Sequence, residues 1–188
     1  MENRKVRLTK SALKDALVEL MSERPLEKIT VTALCEHADV NRSTFYSHYE
    51  SLADVVDDLE GDFLSHVTYF TAEKSSENLQ LLTKYLEYIR ANRRLFEVLY
   101  KNGRIVQGVC KESERLYLKQ HNIPPEEAQS SLRVRRHRLY IRYACTGTYQ
   151  MIYDWLQDEE TYSPRQMAEA IFSLSTMVGQ SDQRIARN

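Results

Sequence analysis

Between Thr30 and Tyr49 the sequence TVTALCEHADVNRSTFYSHY concentrates side chains that donate hydrogen bonds: Thr30, Thr32, Asn41, Arg42, Ser43, Thr44, Tyr46, Ser47 and His48. Their chemistry suits recognition of base edges and phosphates. An arginine such as Arg42 can donate to both O6 and N7 of a guanine. Ser43 and Thr44 are short enough to let a helix approach a groove floor, and the Thr44 methyl can touch a thymine methyl. Tyr46 and His48 lie further along, within reach of phosphates. Thr30 and Thr32 add hydroxyls at a helix start, a natural phosphate site.

Bond-making chemistry has no comparable set. Cys35 and His37 are two apart on an expected helix and so face different directions. The chain contains no G-x-S-x-G, H-E-x-x-H, P-loop or paired-glycine motif. No enzymatic activity and no cofactor is expected. Cys35, Cys110 and Cys145 are far apart and form no C-x-x-C pair, so neither a metal site nor a disulfide framework is expected, and a reducing cytoplasm is the natural setting. No apolar run approaches the roughly 18 residues of a membrane span, and the N-terminus lacks an apolar signal region. No membrane partner is expected.

Short helices must position the donors. Phe45 and Tyr49 are four apart and share a face, with Val40 in the preceding turn and Leu34 and Ala38 on the helix before it. Arg42, Ser43, Thr44, Tyr46, Ser47 and His48 are then free to point outward. A short helix held by so few apolar residues is costly unless its polar face has a task. Helix, tight turn and donor-rich short helix is the layout of a helix-turn-helix DNA reader.

Across all 188 residues the periodicity is helical, with five glycines and four prolines. About nine helices are expected, an all-α fold. Thr9 reads as the N-cap of a first helix carrying Leu13, Ala16, Leu17 and Leu20, which stops near Pro25. Thr30 caps a second over 31–38 and Asn41 a third over 42–49. Ser51 with Asp54 starts a fourth, to about Phe70. Further helices follow near 77–91, 93–101, 104–121 and 128–157. Ser163-Pro164-Arg165-Gln166 opens the last, to about Val178.

A net charge of −1 predicts no nucleic-acid binding by itself, but the charges are unevenly placed. Arg4, Lys5, Arg7 and Lys10 form a basic arm, Asp54, Asp57, Asp58, Glu60 and Asp62 an acidic run, and Arg133, Arg135, Arg136, Arg138 and Arg142 a basic cluster. The arm could follow the DNA backbone or minor groove. The cluster reads as a solvated helix face in preference to a patch for an acidic ligand or partner protein.

The stretch ITVTALCEHADVNRSTFYSHYESL, with Thr9 before it, resembles the N-terminal domain of TetR/AcrR-type bacterial transcriptional regulators. The matching features are Thr30 as cap, Ala38 and Val40 around the turn, and Thr44-Phe45-Tyr46-x-His48-aromatic. The resemblance covers about 50 residues. It implies base contacts from Arg42, Ser43 and Thr44 and phosphate contacts from Thr30, Thr32, Tyr46 and His48. Two positions depart from the family pattern. Asp39 replaces the usual turn glycine, which is tolerable because Asp visits left-handed geometry more readily than most residues. Leu52 replaces the usual lysine at the start of the fourth helix. With the acidic run behind it, this predicts weakened DNA affinity that leans on the N-terminal arm.

The resemblance divides the chain into a DNA-binding domain, 1–52, and a helical ligand-sensing and dimerisation domain, 53–188. It implies a homodimer on a palindromic operator, acting as a repressor that an unknown small-molecule effector releases. YIRANRRLFEVLYKNG, with RYACTGTYQMIYDWLQDEETYSPRQMAEAI, resembles a C-terminal type common in Firmicutes, among which some members are activators or coactivators. A coactivator acting mainly through a protein partner, with weak or no operator binding, is therefore the alternative. Self-association is expected through the last two helices, at Ala144, Cys145, Gly147 and Thr148 and an apolar stripe of Ile171, Leu174 and Val178. Among many aromatics, Tyr100, Tyr143, Tyr149 and Trp155 are the ligand candidates, expected to converge between the middle helices and the long one.

Overall fold

The structure is a computed structural model that describes residues 4–67, 75–124, 126–158 and 162–185, the last helix beyond 174 by its backbone only. Among these residues there are nine α-helices, one 3-10 turn at Leu26–Lys28 and no strand. The helices are α1 (Arg4–Glu23), α2 (Val31–His37), α3 (Arg42–Tyr46), α4 (Leu52–Ser65), α5 (Ser76–Ala91), α6 (Arg93–Lys101), α7 (Arg104–Gln120), α8 (Leu132–Gln157) and α9 (Pro164–Ile185). None is long and apolar enough to cross a membrane among the described residues.

Two compact units emerge: 1–65 with 94–102, and 66–93 with 103–188. In the first, Leu13, Ala16, Leu17 and Leu20 of α1 are buried together with Leu34, Phe45, Tyr49, Val55 and Leu59. Phe96 of α6 joins this unit against Phe63 of α4, ring centroids 6.2 Å apart. In the second unit α5 packs on α9, α7 on α8, and α8 on α9. Its core includes Tyr85 and Ile89 of α5, Tyr149, Ile152 and Leu156 of α8, and Ile171 and Phe172 of α9.

Several helix starts follow the expected chemistry. The Thr30 hydroxyl accepts from the Ala33 amide at 3.1 Å. At α9, Ser163 and Gln166 close a reciprocal capping box, the Ser163 amide donating to the Gln166 side chain at 2.9 Å and the Gln166 amide to the Ser163 hydroxyl at 3.3 Å. Asp54 accepts from the amides of Glu50 and Ser51, both at 2.8 Å, which fixes the first turn of α4.

Other boundaries differ. Thr9 is not a cap: α1 begins at Arg4, and the Thr9 hydroxyl donates back to the Lys5 carbonyl at 3.1 Å. Arg4 to Lys10 includes good helix formers and no breaker, so the helix extends through the threonine, which bonds one turn back. The basic arm is thus the start of α1. Helix α3 ends at Tyr46, three residues short of expectation, and α4 ends at Ser65, while 68–70 lie outside the described residues. Helix α8 starts at Leu132, capped by the Ser131 hydroxyl, and α9 runs on to Ile185.

Candidate nucleic-acid interface

The turn between α2 and α3 is built from backbone geometry. Asp39 is left-handed, with φ of 51°. The Val40 amide reaches back to the Cys35 carbonyl at 2.9 Å and the Asp39 amide to the Glu36 carbonyl at 3.4 Å. These two bonds make a Schellman ending for α2, and Val40 seats its side chain on the core beside it. The aspartate thus takes the conformation a glycine would adopt at lower strain.

Helix α3 is held by its apolar side alone. Phe45 is fully buried, and the Tyr49 ring lies 6.0 Å from it, centroid to centroid. Tyr49 donates to Asp58 of α4 at 2.6 Å, and the same carboxylate lies 3.9 Å from Lys10 and 3.7 Å from Lys14 of α1. Lys14 also pairs with Asp62. His37 at the end of α2 meets Glu19 of α1 at 2.7 Å. Helices α1, α2 and α4 and the segment after α3 are therefore cross-linked by polar bonds around an apolar centre.

On the other side, Thr30, Thr32, Asn41, Arg42, Ser43, Tyr46 and Ser47 are exposed, and Thr44 and His48 are half-buried. Tyr46, 52% exposed, leans edge-on against Phe45 at 5.2 Å, which presents its hydroxyl outward on a braced ring. Asn41 occupies the N-cap position of α3 without making the side-chain cap bond. The Ser47 hydroxyl donates to the Thr44 carbonyl at 2.7 Å, so its donor is engaged within the helix end. Thr32, Asn41 and Arg42 border an open hollow of about 330 Å³ together with Glu36 and Asp39. Cys35 lies buried behind it, and burial pushes its thiol up.

Two features that sequence reasoning counted against DNA affinity have structural partners. Leu52 packs against the core of the first unit. Of the acidic run, Asp54 caps α4, while Asp58 and Asp62 hold Tyr49 and the α1 lysines.

The ligand candidates are not brought together as expected. Tyr100 belongs to the first unit, stacked on Phe96 at 5.7 Å. Tyr143, Tyr149 and Trp155 are spaced six apart on α8, which turns each about 120° from the others. Tyr143 is 69% exposed. Tyr149 is buried, its hydroxyl 3.2 Å from that of Tyr85, and Trp155 is buried with its indole N–H donating to the Tyr162 carbonyl at 2.7 Å. The self-association candidates also separate. Ile171 is buried in its own unit, Cys145 meets Cys110 of α7, and the Val178 side chain lies outside the described residues. Ala144, Gly147, Thr148 and Leu174 do share one open groove of about 590 Å³ with Tyr140, Tyr143 and Met151.

The reader layout has counterparts in known proteins. Residues 13–59 match the model of the bacterial regulatory proteins of the tetR family, and residues 77–177 that of a transcriptional regulator C-terminal region. The chain belongs to the TetR family of DNA-binding bacterial transcriptional regulators. An HTH-type transcriptional regulator of Bacillus subtilis (strain 168), YxbF, is 25% identical over 176 residues, covering 86% of this chain and 43% of that protein. The chain thus spans less than half the length of that curated relative. The TetR transcriptional regulator from Streptococcus agalactiae 2603V shares the fold at a TM-score of 0.61 and 20% identity, over 92% of this chain and 96% of that one. The dihydroxyacetone kinase operon activator DhaS does so at 0.53 and 16%, over 89% and 93%.

Proposed function

We propose that this regulator is a cytoplasmic homodimer that reads a palindromic operator and represses until a small-molecule effector releases it. The observation that carries the reading is α3 itself. One buried phenylalanine holds a helix of five residues whose remaining face is donors, with Arg42 and Ser43 exposed at its start. Arg42, Ser43 and Thr44 read bases, with Asn41 beside them. Thr30, Thr32, Tyr46 and His48 hold phosphates. Thr30 supports its assignment because an oxygen that accepts the cap bond still carries a proton to donate. Ser47 serves by closing the helix end. One such reader makes too few contacts for operator specificity, and a two-fold pair places readers about 34–36 Å apart.

The two copies join along α8 and α9, at the open groove beside Tyr143, Gly147 and Leu174. Its small and apolar lining supports this. The effector enters the second unit near Tyr149 and Trp155. The Tyr85–Tyr149 hydroxyl pair supports that placement, being a polar spot inside an apolar core. Effector binding shifts α4 and with it the spacing of the readers.

A selection of bound duplexes from a random pool at low salt tests this, with Arg42→Ala alongside. The expected product is a palindrome with half-sites one turn apart, blurred at one base pair by the variant at a cost of about 1–3 kcal/mol. No enrichment would instead favour the coactivator reading, in which a protein partner is the main contact. That reading draws on Leu52, which adds no cation to the interface, on the exposed Leu132 and Leu139 among the α8 arginines, and on the fold shared with an activator.

A further inference from the structure

Helices α7 and α8 run antiparallel, and two side-chain pairs mark their register. Tyr117 stacks on His137 with ring centroids 3.8 Å apart. Glu114 receives two bonds from Arg138, at 2.6 and 2.7 Å. In this register Cys110 of α7 falls opposite Cys145 of α8, close enough for each thiol to influence the other. Moving from 117 to 114 to 110 along α7, the partners advance from 137 to 138 to 145 along α8, as opposed helices require. The two thiols face each other across this seam, neither of them fully exposed.

We propose that Cys110 and Cys145 form an oxidative modification site, a thiol pair that a small peroxide converts to an intramolecular disulfide. The peroxide transfers one oxygen to the Cys110 sulfur, giving a sulfenic acid and one water. The Cys145 sulfur then attacks that sulfur, the S–O bond breaks, and the departing hydroxide takes the Cys145 proton as a second water. Each sulfur loses one electron to the peroxide O–O bond, so the step balances without another reactant.

Cys110 is the entry point. Burial raises both thiols, that of Cys145 to about 12, while the Arg142 guanidinium partly offsets the rise at Cys110. Both are protonated at neutral pH, so reaction is slower than at an exposed thiolate. Selectivity comes from proximity: once Cys110 is oxidised, Cys145 already stands opposite it across the α7–α8 seam. Cys35 is buried in the first unit, which contains no second cysteine. The link staples α7 to α8 next to Ala144 and Thr146, which line the groove beside α9.

The test treats the full chain with hydrogen peroxide, then counts thiols under denaturing conditions and maps peptides without reduction. The expected result is a fall from three thiols to one, a peptide joining Cys110 to Cys145, and reversal by dithiothreitol. The unfolding midpoint should rise by roughly 5–10 °C. Cys110→Ser and Cys145→Ser should each abolish the link, and Cys35→Ser should leave it intact. The wild-type peptide map decides the matter even where a variant fails to fold. Three thiols surviving excess peroxide, a link through Cys35, or oxidation of Cys110 beyond sulfenic acid without a link would each overturn the proposal.

Discussion

The acidic run of α4 and the basic run of α8 look alike as sequence, each a cluster of like charges along a helix, yet the fold uses them differently. On α4, Asp54 holds the helix start, and Asp58 joins the Tyr49 hydroxyl to two lysines of α1. On α8, Arg138 is locked to Glu114, while Arg133, Arg135, Arg136 and Arg142 remain exposed. The first run is part of what holds the reader together. The second lies mostly exposed, Arg135 donating to the Gln129 carbonyl at 3.1 Å, with exposed Leu132 and Leu139 set into it. A charge run is therefore informative only once its partners are known, and the partners are distant in sequence.

That contrast can be broken most directly at Asp58. Asp58→Ala leaves the nearly buried Tyr49 hydroxyl without its acceptor and should cost about 2 kcal/mol in urea unfolding, since bonds to charged groups are worth about 1.5–3. Tyr49→Phe removes the donor together with its need for a partner and should cost less. Equal, negligible effects would mean that the α4 acids are as peripheral as the α8 arginines.

A smaller effect is expected at Arg138, which makes a bidentate pair with a carboxylate. The bonds from Arg138 hold the Glu114 carboxyl below its ordinary value of 4.5. A carboxylate depressed on folding stabilises above its unfolded pKa and loses that contribution as pH falls through the folded one. Stability of the wild type should therefore fall below about pH 4.5 more steeply than that of Glu114→Gln. Both side chains are partly exposed, so the difference should stay under about 1 kcal/mol. Parallel pH profiles would show that the pair contributes nothing measurable.

The smallest effect belongs to the exposed arginines. Replacing Arg142 by Gln should change unfolding stability by no more than about 0.5 kcal/mol. A larger loss in the isolated protein would place this run with that of α4.

Much of the reader was legible in the chain. Thr30 as cap, Phe45 and Tyr49 inward and Arg42 outward follow from local spacing and side-chain chemistry, and left-handed Asp39 from the family resemblance. Thr9 misled because a threonine preceded by good helix formers bonds one turn back as readily as it caps. The ligand candidates differ in another way. Counting residues along α8 already separates Tyr143, Tyr149 and Trp155 by about 120° each, so these three face different sides of the helix. Leu52 packs against the core of the first unit, a contact that the chain alone did not show.

The sequence by itself determined the all-helical architecture, the reader motif and the capping of α2 and α9, because each depends on residues within one or two helical turns. Only the tertiary structure decided that Asp58 serves Tyr49, that Glu114 locks Arg138 and that Cys110 meets Cys145. Those pairings depend on how helices pack. Packing is settled by the joint burial of apolar faces far apart in the chain, and no local pattern records which partner a side chain will meet.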